Sequence, residues 1–415
     1  LDLIIIDEEH ENSYKSGSTP RYHARQVAQY RAQSEGATLV MGSATPSLEA
    51  YRLMKGGEQI KALRLHKRVA GGVLPTVEVV DMSFERHMIS RRLDQGIRHT
   101  LERGRQAILF LNRRGFSYFF HCNSCGFELL CPHCAVSLTY HKRTSSMVCH
   151  YCGYKGRPVN VCPACKSVDV SYSGFGTEMV EQEIRSLYPT ARIERLDTDS
   201  AQQKGHLRSV IDDFREGRID ILLGTQMVAK GLNFPLVDLV GIINADSGLN
   251  IPDFRSQERT FSLLVQVSGR AGRYSSEGRV IIQTHHPENP AIAYALAGDT
   301  DGFYESELAV RQETGFPPFS RLANLVIRGR NRSVVEEATG LLERRLNAAA
   351  KALGVEVLVA SECPLEKIAS NWRFHILLSS QQGGAVHRLL RHVLAGYQLP
   401  SSLYLEIDLD PLQLL

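Results

Sequence analysis

Leu1-Asp2-Leu3-Ile4-Ile5-Ile6-Asp7-Glu8-Glu9-His10 opens the chain with an apolar run that breaks abruptly into carboxylates. The run shows no polar alternation, which predicts a strand covered on both faces, as in a parallel sheet flanked by helices. The acids then emerge at the carboxyl end of the strand, where open α/β sheets bind their ligands. An acidic pair in that place suits a nucleotide site: Asp7 would hold Mg²⁺ and Glu8 would orient or activate the attacking water, with His10 as the third catalytic candidate. The same letters also describe a strand that simply meets a solvated loop, so the rest of the chain decides their meaning.

Three further segments fit a nucleotide-driven motor. Thr38 to Ser47 is a second expected buried strand that runs into a turn of small and hydroxyl residues, Gly42-Ser43-Ala44-Thr45-Pro46-Ser47. Ile221-Leu222-Leu223-Gly224 leads into Thr225, Gln226, Lys230 and Gly231, polar or small groups at a strand's carboxyl end. Gln266-Val267-Ser268-Gly269-Arg270-Ala271-Gly272-Arg273 closes a helix-like stretch with two arginines three apart, and its glycines permit close backbone approach. Each segment alone is an ordinary turn with charges. As an ordered set, with Asp7-Glu8 in the position of a Walker B element, they resemble motifs II, III, V and VI of a superfamily 2 helicase.

The likeness narrows further. Asp7-Glu8-Glu9-His10, Pro20-Arg21-Tyr22-His23-Ala24-Arg25, Gly42 to Ser47, four C-x₂-C pairs, Gly224-Thr225-Gln226-Met227 and Pro252-Asp253-Phe254-Arg255 together resemble the PriA family of bacterial primosomal replication-restart helicases along the whole chain. That resemblance implies two RecA-like lobes, ATP with Mg²⁺ as cofactor, and 3′-to-5′ unwinding of DNA at stalled forks. It implies as partners forked and single-stranded DNA, the single-strand-binding protein and other primosome proteins, with the chain itself a monomer.

A motor of this kind needs a phosphate-cradling G-x-x-x-x-G-K-[ST] loop, yet none of the eleven lysines follows a glycine. The chain is therefore expected to be the carboxyl-terminal part of a longer helicase that neither binds nucleotide tightly nor turns it over alone. An amino-terminal DNA-binding region and the front of lobe 1 are what the resemblance implies upstream. The rival reading is a non-enzymatic, zinc-bearing scaffold that binds DNA or primosome proteins.

With 415 residues and 43% hydrophobic content, two to four well-cored domains are expected. Apolar runs fall far short of the roughly eighteen residues a membrane span needs, so no membrane partner is expected and the cytoplasm is the default compartment. The net charge of +3, from 48 basic and 45 acidic residues, leaves nucleic-acid contact to local patches.

Alternating strand and helix patterns predict an α/β organisation. Residues 1–56 would supply the rear of a RecA-like lobe 1. A connector over 57–83 is bracketed by Gly56-Gly57, Gly71-Gly72 and Pro75. Residues 84–299 would form a complete lobe 2, with strands at 106–111, 192–196, 219–223, 239–243 and 280–282 and helices near 177–188, 203–216 and 254–267. An insertion over 120–170 interrupts it. Residues 300–415 read β-α-β-β-α-β, a split βαβ module of α+β type.

Eight of the nine cysteines fall within 44 residues, as Cys122-x₂-Cys125, Cys131-x₂-Cys134, Cys149-x₂-Cys152 and Cys162-x₂-Cys165. Each pair is spaced to bite one metal through a tight turn, so two Zn²⁺ sites of Cys₄ type are expected. A disulfide-stapled insert disagrees with a cytoplasmic setting, and an iron-sulfur cluster usually shows other spacing. Spacing leaves the pairing open. The resemblance implies nesting, with Cys122, Cys125, Cys162 and Cys165 on one ion and Cys131, Cys134, Cys149 and Cys152 on the other. His121, His133, His141 and His150 lie among the pairs but are not needed as ligands, and Cys363 reads as an ordinary buried thiol. Residues 113–175 carry seven basic and two acidic side chains, and eight thiolates with two Zn²⁺ bring the sum to about +1, too little to grip phosphate by field alone. Phe127, Tyr140, Tyr151 and Tyr154, taken as exposed, would serve protein contacts or base stacking.

The segment from Glu11 to Tyr30 interleaves Tyr14, Lys15, Arg21 and Tyr22 just after the acids. Helicases resembling this one carry an aromatic-rich coupling loop there, which makes these four the DNA-binding candidates; the alternative is a helix start with solvated charges. Arg270 and Arg273 would face nucleotide held by lobe 1, with Arg273 as arginine finger and Gln266 aligning it. Thr225 and Gln226 would touch the DNA backbone, while Lys230 and Gly231 would sit at the nucleotide cleft. In the terminal module, Trp372, Arg373 and His375 read either as part of a partner site or as a core tryptophan beside a surface arginine.

Overall fold

The computed structural model describes residues 1–57, 60–65, 75–85, 87–111, 119–122, 124–133, 136–141, 144–150, 152–172, 177–196, 206–224, 234–271 and 277–414. The first unit holds β1 (Leu3–Ile6), α1 (Ala24–Glu35), β2 (Thr38–Met41) and α2 (Leu48–Gly56). The two strands pair in parallel, Leu3 opposite Thr38 and Ile6 opposite Met41. The expectation of a strand covered on both faces fails here: Leu3 is 51% and Ile5 66% exposed, while Ile6 is buried. Contacts from α1 reach both strands of this two-stranded sheet, but the face that Leu3 and Ile5 present has no covering layer among the described residues.

The second unit continues with β3 (Thr76–Asp81), α3 (Arg91–Glu102) and β4 (Gln106–Phe110), followed by a cysteine-rich module with β5 (His121–Cys122), β6 (Thr139–His141), β7 (Ser146–Val148), β8 (Lys155–Gly156) and β9 (Val170–Ser171). It resumes with α4 (Thr177–Leu187), β10 (Ile193–Leu196), α5 (His206–Arg215), β11 (Ile221–Gly224), β12 (Val237–Ile242), α6 (Asp246–Leu249), α7 (Ser256–Ser268), β13 (Arg279–Thr284) and α8 (Pro290–Ala297). Six strands form one all-parallel sheet in the order β10-β11-β4-β12-β13-β3. Neighbouring residues of one strand serve opposite cores, as the two-residue period of a strand requires. Ile108 and Phe110 join Val210, Phe214, Leu264 and Val267 on one face, and Ala107 and Leu109 join Leu93, Ile97, Val180 and Ile184 on the other. Helix α3 packs tightly because Gly241 leaves room: a Cβ there would lie 2.8 Å from both Leu93 and Leu109. Strand β3 extends this sheet with residues that the glycine bracket assigns to the connector. Its Thr76-Val77-Glu78-Val79-Val80, β-branched at all but Glu78, pairs along β13 from Thr76 to Asp81.

Helix α9 (Thr300–Thr314) leads to β14 (Arg321–Gly329), α10 (Arg332–Ala350), β15 (Glu356–Ile368), β16 (Asn371–Ser380), α11 (Ala385–Leu394) and β17 (Leu403–Leu409). From β14 onward the element order is the expected β-α-β-β-α-β, folded as an antiparallel sheet β15-β16-β14-β17. Both α10 and α11 cover one face, burying Val335, Leu342, Leu346, Leu389 and Val393 against Leu325 and Ile327. The cysteine-rich module packs elsewhere on this domain, sharing a core of Phe120, Leu138 and Met147 with Leu322, Val359 and Leu377. Helix α9 belongs by packing to the first two units: Phe303 stacks on Phe261 at 4.0 Å and Tyr304 meets Tyr51 at 4.6 Å.

Candidate functional site

Past Ile6 the chain turns sharply, with Glu8 held at a φ of 48°. Its amide donates to Asp7 Oδ1 at 3.0 Å, and the Tyr14 hydroxyl donates to the Asp7 carbonyl at 2.6 Å. The end of β2 is zipped to this turn by two main-chain bonds, Gly42 N to the Ile6 carbonyl and Glu9 N to the Gly42 carbonyl. A left-handed φ at a non-glycine residue costs on the order of 1 kcal/mol or more and persists only where the surroundings impose it. Here it lifts the Glu8 carboxylate, 44% exposed, to the outer side of the turn while Glu9 points inward, 2% exposed.

Glu9 is a structural anchor. It accepts from the Ser47 amide at 2.5 Å and from Arg25 at 2.6 Å, and Ser47 in turn caps α2 by accepting from Ala50 N. His10 is the bridge. Its Nδ1 lies 2.6 Å from Ser43 Oγ and its Nε2 lies 2.5 Å from the Gln266 side-chain nitrogen. An amide nitrogen only donates, so Nε2 accepts and Nδ1 carries the proton, donating to Ser43 with Glu8 Oε2 3.6 Å away. Gln266, expected to align an arginine, is therefore engaged by His10.

More of α7 meets the first unit. Thr45 and Ser262 hydroxyls are 2.5 Å apart, Leu48 N donates to Glu258 at 2.9 Å, and Arg255 reaches Glu49 at 2.5 Å. Glu258, Ser262 and Gln266 recur at four-residue spacing, one face of a helix, with Arg255 just ahead of the first turn. That spacing is a signal present in the sequence, although motif reasoning reaches only Gln266. The space left between these groups is about 90 Å³, below the few hundred that a small-molecule pocket takes. Beyond it, Arg255, Glu258, Arg311 and Glu307 form a buried ion network, with Arg311 to Glu258 at 3.2 Å and to Glu307 at 2.9 Å. Burial alone would raise the Glu49 carboxyl, but the Arg255 guanidinium overrides it and holds Glu49 far below the usual range. Burial, aided by Arg25, pushes His23 down to about 4.

Of the remaining nucleotide candidates, Asp7 is exposed, and Arg270 follows the end of α7 with its amide donating to the Val267 carbonyl. Arg273, Thr225, Gln226, Lys230 and Gly231 lie outside the described residues. In the segment expected to be a coupling loop, the two cations are not solvated but paired. Lys15 pairs with Asp408 at 2.8 Å and donates to the Leu409 carbonyl, and Arg21 pairs with Glu406 at 2.5 Å. Both cations thus close on β17, while Tyr22 stays 54% exposed.

In the cysteine-rich module, one turn recurs. Cys122, Cys149 and Cys162 accept at their carbonyls from the amide four residues on, and Gly126, Gly153 and Lys166 at those places have φ of 73°, 73° and 62°. At Gly126 a Cβ would sit 2.3 Å from His285 Cβ, so glycine is also needed for approach to the six-stranded unit. The thiols of Cys122, Cys125, Cys162 and Cys165 fall within 4.8 Å of one another, and so do those of Cys131, Cys149 and Cys152; Cys134 lies outside the described residues. These converging cysteines are free thiols, one set of four and one of at least three, and they fit tetrahedral Zn²⁺. The aromatics taken as exposed are half-buried instead: Phe127 meets Phe120 at 6.4 Å and Tyr140 meets Tyr172 at 4.3 Å, while Tyr151 lies outside the described residues. Cys363 is buried, and burial pushes its thiol up to about 12.

The chain is similar to known proteins throughout. Three family models match: the helicase conserved C-terminal domain over 155–275, the PriA DNA helicase Cys-rich region over 131–157, and the primosomal protein N C-terminal domain over 312–412. Replication restart protein PriA of Treponema pallidum is 49% identical over all of this chain and 63% of its own length, and that of Bacillus subtilis is 41% identical over 99% of this chain and 52% of its own. The chain thus spans a little over half the length of these relatives. A solved structure of RecG bound to a three-way DNA junction aligns over 74% of this chain and 30% of that one, at 15% identity and a TM-score of 0.39. No helix among the described residues is long and apolar enough to cross a membrane.

Proposed function

We propose, from the premise that the chain belongs to the PriA family of replication restart proteins, that it forms the coupling half of an ATP-driven, 3′-to-5′ DNA helicase that acts at stalled forks. The observation that carries this reading is the chain Ser43–His10–Gln266, which joins the acidic turn after β1 to the helix α7, just ahead of Arg270. Across such a joint, hydrolysis at one unit is felt by the other. Asp7 would hold Mg²⁺, and Glu8, partly exposed and with its Oε2 3.6 Å from His10 Nδ1, would orient the attacking water. Mg²⁺ and ATP would supply the phosphoryl chemistry when bound. Arg270 and Arg273 would meet the phosphates, with Lys230 and Gly231 at the same cleft. Tyr14, Tyr22, Thr225 and Gln226 would face DNA, and Lys15 and Arg21 would join them only by leaving β17.

Cys122, Cys125, Cys162 and Cys165 would hold one Zn²⁺, and Cys131, Cys134, Cys149 and Cys152 the other, each supplying local folding energy. A monomeric chain in the cytoplasm would dock forked and single-stranded DNA, the single-strand-binding protein and primosome proteins through this module and the terminal domain. A second reading, a zinc-bearing scaffold without turnover, draws on the core that the module shares with the terminal domain. ATPase assays separate the two. Residues 1–415, which contain no G-x-x-x-x-G-K-[ST], should show no DNA-stimulated hydrolysis, and the same chain extended to its relatives' length should show it. In the extended protein Glu8→Gln should bind ATP and DNA yet stall; unchanged turnover in that variant would sink the catalytic assignment.

A further inference from the structure

We propose that His141, Glu362 and Glu366 hold a third metal ion, a divalent transition metal that ties the cysteine-rich module to the terminal domain. His141 ends β6 in the module and its side chain is 3% exposed, whereas both glutamates stand on β15. Its Nδ1 lies 2.8 Å from Glu366 Oε1 and 3.6 Å from Glu362 Oε2, and the three ligand atoms fall within 4.8 Å of one another. Strand β15 is irregular at this place: its register against β16 slips between Glu362, opposite Phe374, and Lys367, opposite Trp372. A bulge of that kind re-aims side chains, and here it turns two carboxylates of one strand onto one imidazole.

The donor set is one nitrogen and two oxygens, which suits Zn²⁺, Co²⁺ or Mn²⁺ more than the soft ions that thiolates select. Glu362 divides its oxygens, with Oε1 taken by Arg332 and Oε2 turned toward His141. Arg332 thereby helps to hold the carboxylate in place. Behind His141 stands a second imidazole. His150 is 2% exposed, and its Nε2 is 2.9 Å from His141 Nε2. A histidine that binds metal through one nitrogen donates its other N–H to a buried acceptor, which fixes the ring. His150 Nε2 is in the place to be that acceptor. Neither His141 nor the glutamates belong to the cysteine sets, so the site is separate from both thiolate clusters.

Cobalt distinguishes the sites, because thiolate-bound Co²⁺ gives intense sulfur-to-metal charge-transfer bands and a nitrogen-and-oxygen site gives none. Residues 1–415 loaded with Co²⁺ should carry three equivalents by elemental analysis, two of them accounted for by the thiolate bands. Glu366→Gln should lose one equivalent and keep the thiolate bands at full intensity, and Glu362→Gln should do the same. A wild-type chain saturating at its thiolate-bound ions would overturn the proposal and leave His141 as a hydrogen-bonding imidazole between carboxylates. So would a third equivalent that survives both substitutions. The wild-type count decides the matter even where a variant folds poorly.

Discussion

Removing one guanidinium tests how the first two units are held together. Arg255 is 9% exposed at the side chain and serves two carboxylates, Glu49 of α2 at 2.5 Å and Glu258 of α7 at 3.4 Å. Deleting one partner of a buried ion pair costs about 3–5 kcal/mol, mostly because the other charge stays buried and unpaired. Glu258 keeps Arg311 at 3.2 Å, so the orphan in Arg255→Ala is Glu49, itself 24% exposed and partly reached by water. The lower end, about 3 kcal/mol, is therefore expected. At about 1.4 kcal/mol per factor of ten, that lowers local protection by roughly two orders of magnitude. Hydrogen exchange resolved by peptide should show that loss over Leu48–Gly56 and little change in the terminal domain. Glu49→Gln in the Arg255→Ala background should restore part of the protection, because a neutral amide tolerates burial better than an orphaned carboxylate. A double variant no better protected than Arg255→Ala would refute the charge-based reasoning and leave lost packing as the cause.

The purified chain should carry two thiolate-bound Zn²⁺, and Cys131→Ala should unfold the module while the six-stranded sheet keeps its exchange protection; elemental analysis finding one thiolate-bound ion or none in reduced protein would sink the assignment. In a protein of the relatives' full length, Arg273→Ala should lower kcat by on the order of 10³-fold with far less effect on single-strand binding, and Arg273→Lys should rescue little. Normal kcat with weakened DNA affinity would pass the finger role to Arg270. Acid should loosen the terminal domain through His375, whose burial pushes it down to about 4 from 6.5. The unfolded chain binds that proton first, so the contribution is full above pH 6.5 and is lost as pH falls toward 4, in all about 3 kcal/mol. Urea melts followed at Trp372, the one tryptophan, should show a steeper loss between pH 7 and 4.5 in wild type than in His375→Asn, and equal slopes would refute it.

Where patterning is local, the sequence was legible. Ile221-Leu222-Leu223 and Ala107 to Phe110 read as strands covered on both faces, and they lie in the middle of an all-parallel sheet with helices on each side. The β-α-β-β-α-β order of the terminal domain was equally plain, because two amphipathic helices separate its strands. Leu3-Ile4-Ile5-Ile6 uses the same letters and is half-exposed, since burial depends on what the rest of the fold lays against a strand and not on the strand. The ion pairs of Lys15 and Arg21 were not legible for a related reason. Their partners Asp408 and Glu406 stand almost four hundred positions away, and an ion pair of that separation leaves no mark in either neighbourhood. His141 with Glu366 escaped in the same way, being 225 positions apart.

The joint between the first unit and α7 is uneven along its length, and the unevenness has a direction. At the start of the helix, Arg255 and Glu258 are bound into a buried network in which breaking one partner costs several kcal/mol. Toward its end the contacts are single neutral bonds, Thr45 with Ser262 and His10 with Gln266, each worth about 1 kcal/mol net. A stiff helix held strongly at one end and weakly at the other opens by swinging about the strong end. In such an opening the gap would appear first at Gln266, close to Arg270 and opposite the turn that carries Asp7 and Glu8. If the proposed motor opens and closes between these units, the gradient of bond strength along α7 would make the acidic turn the place where closure is felt and the buried ions at Arg255 the pivot that keeps the two units together.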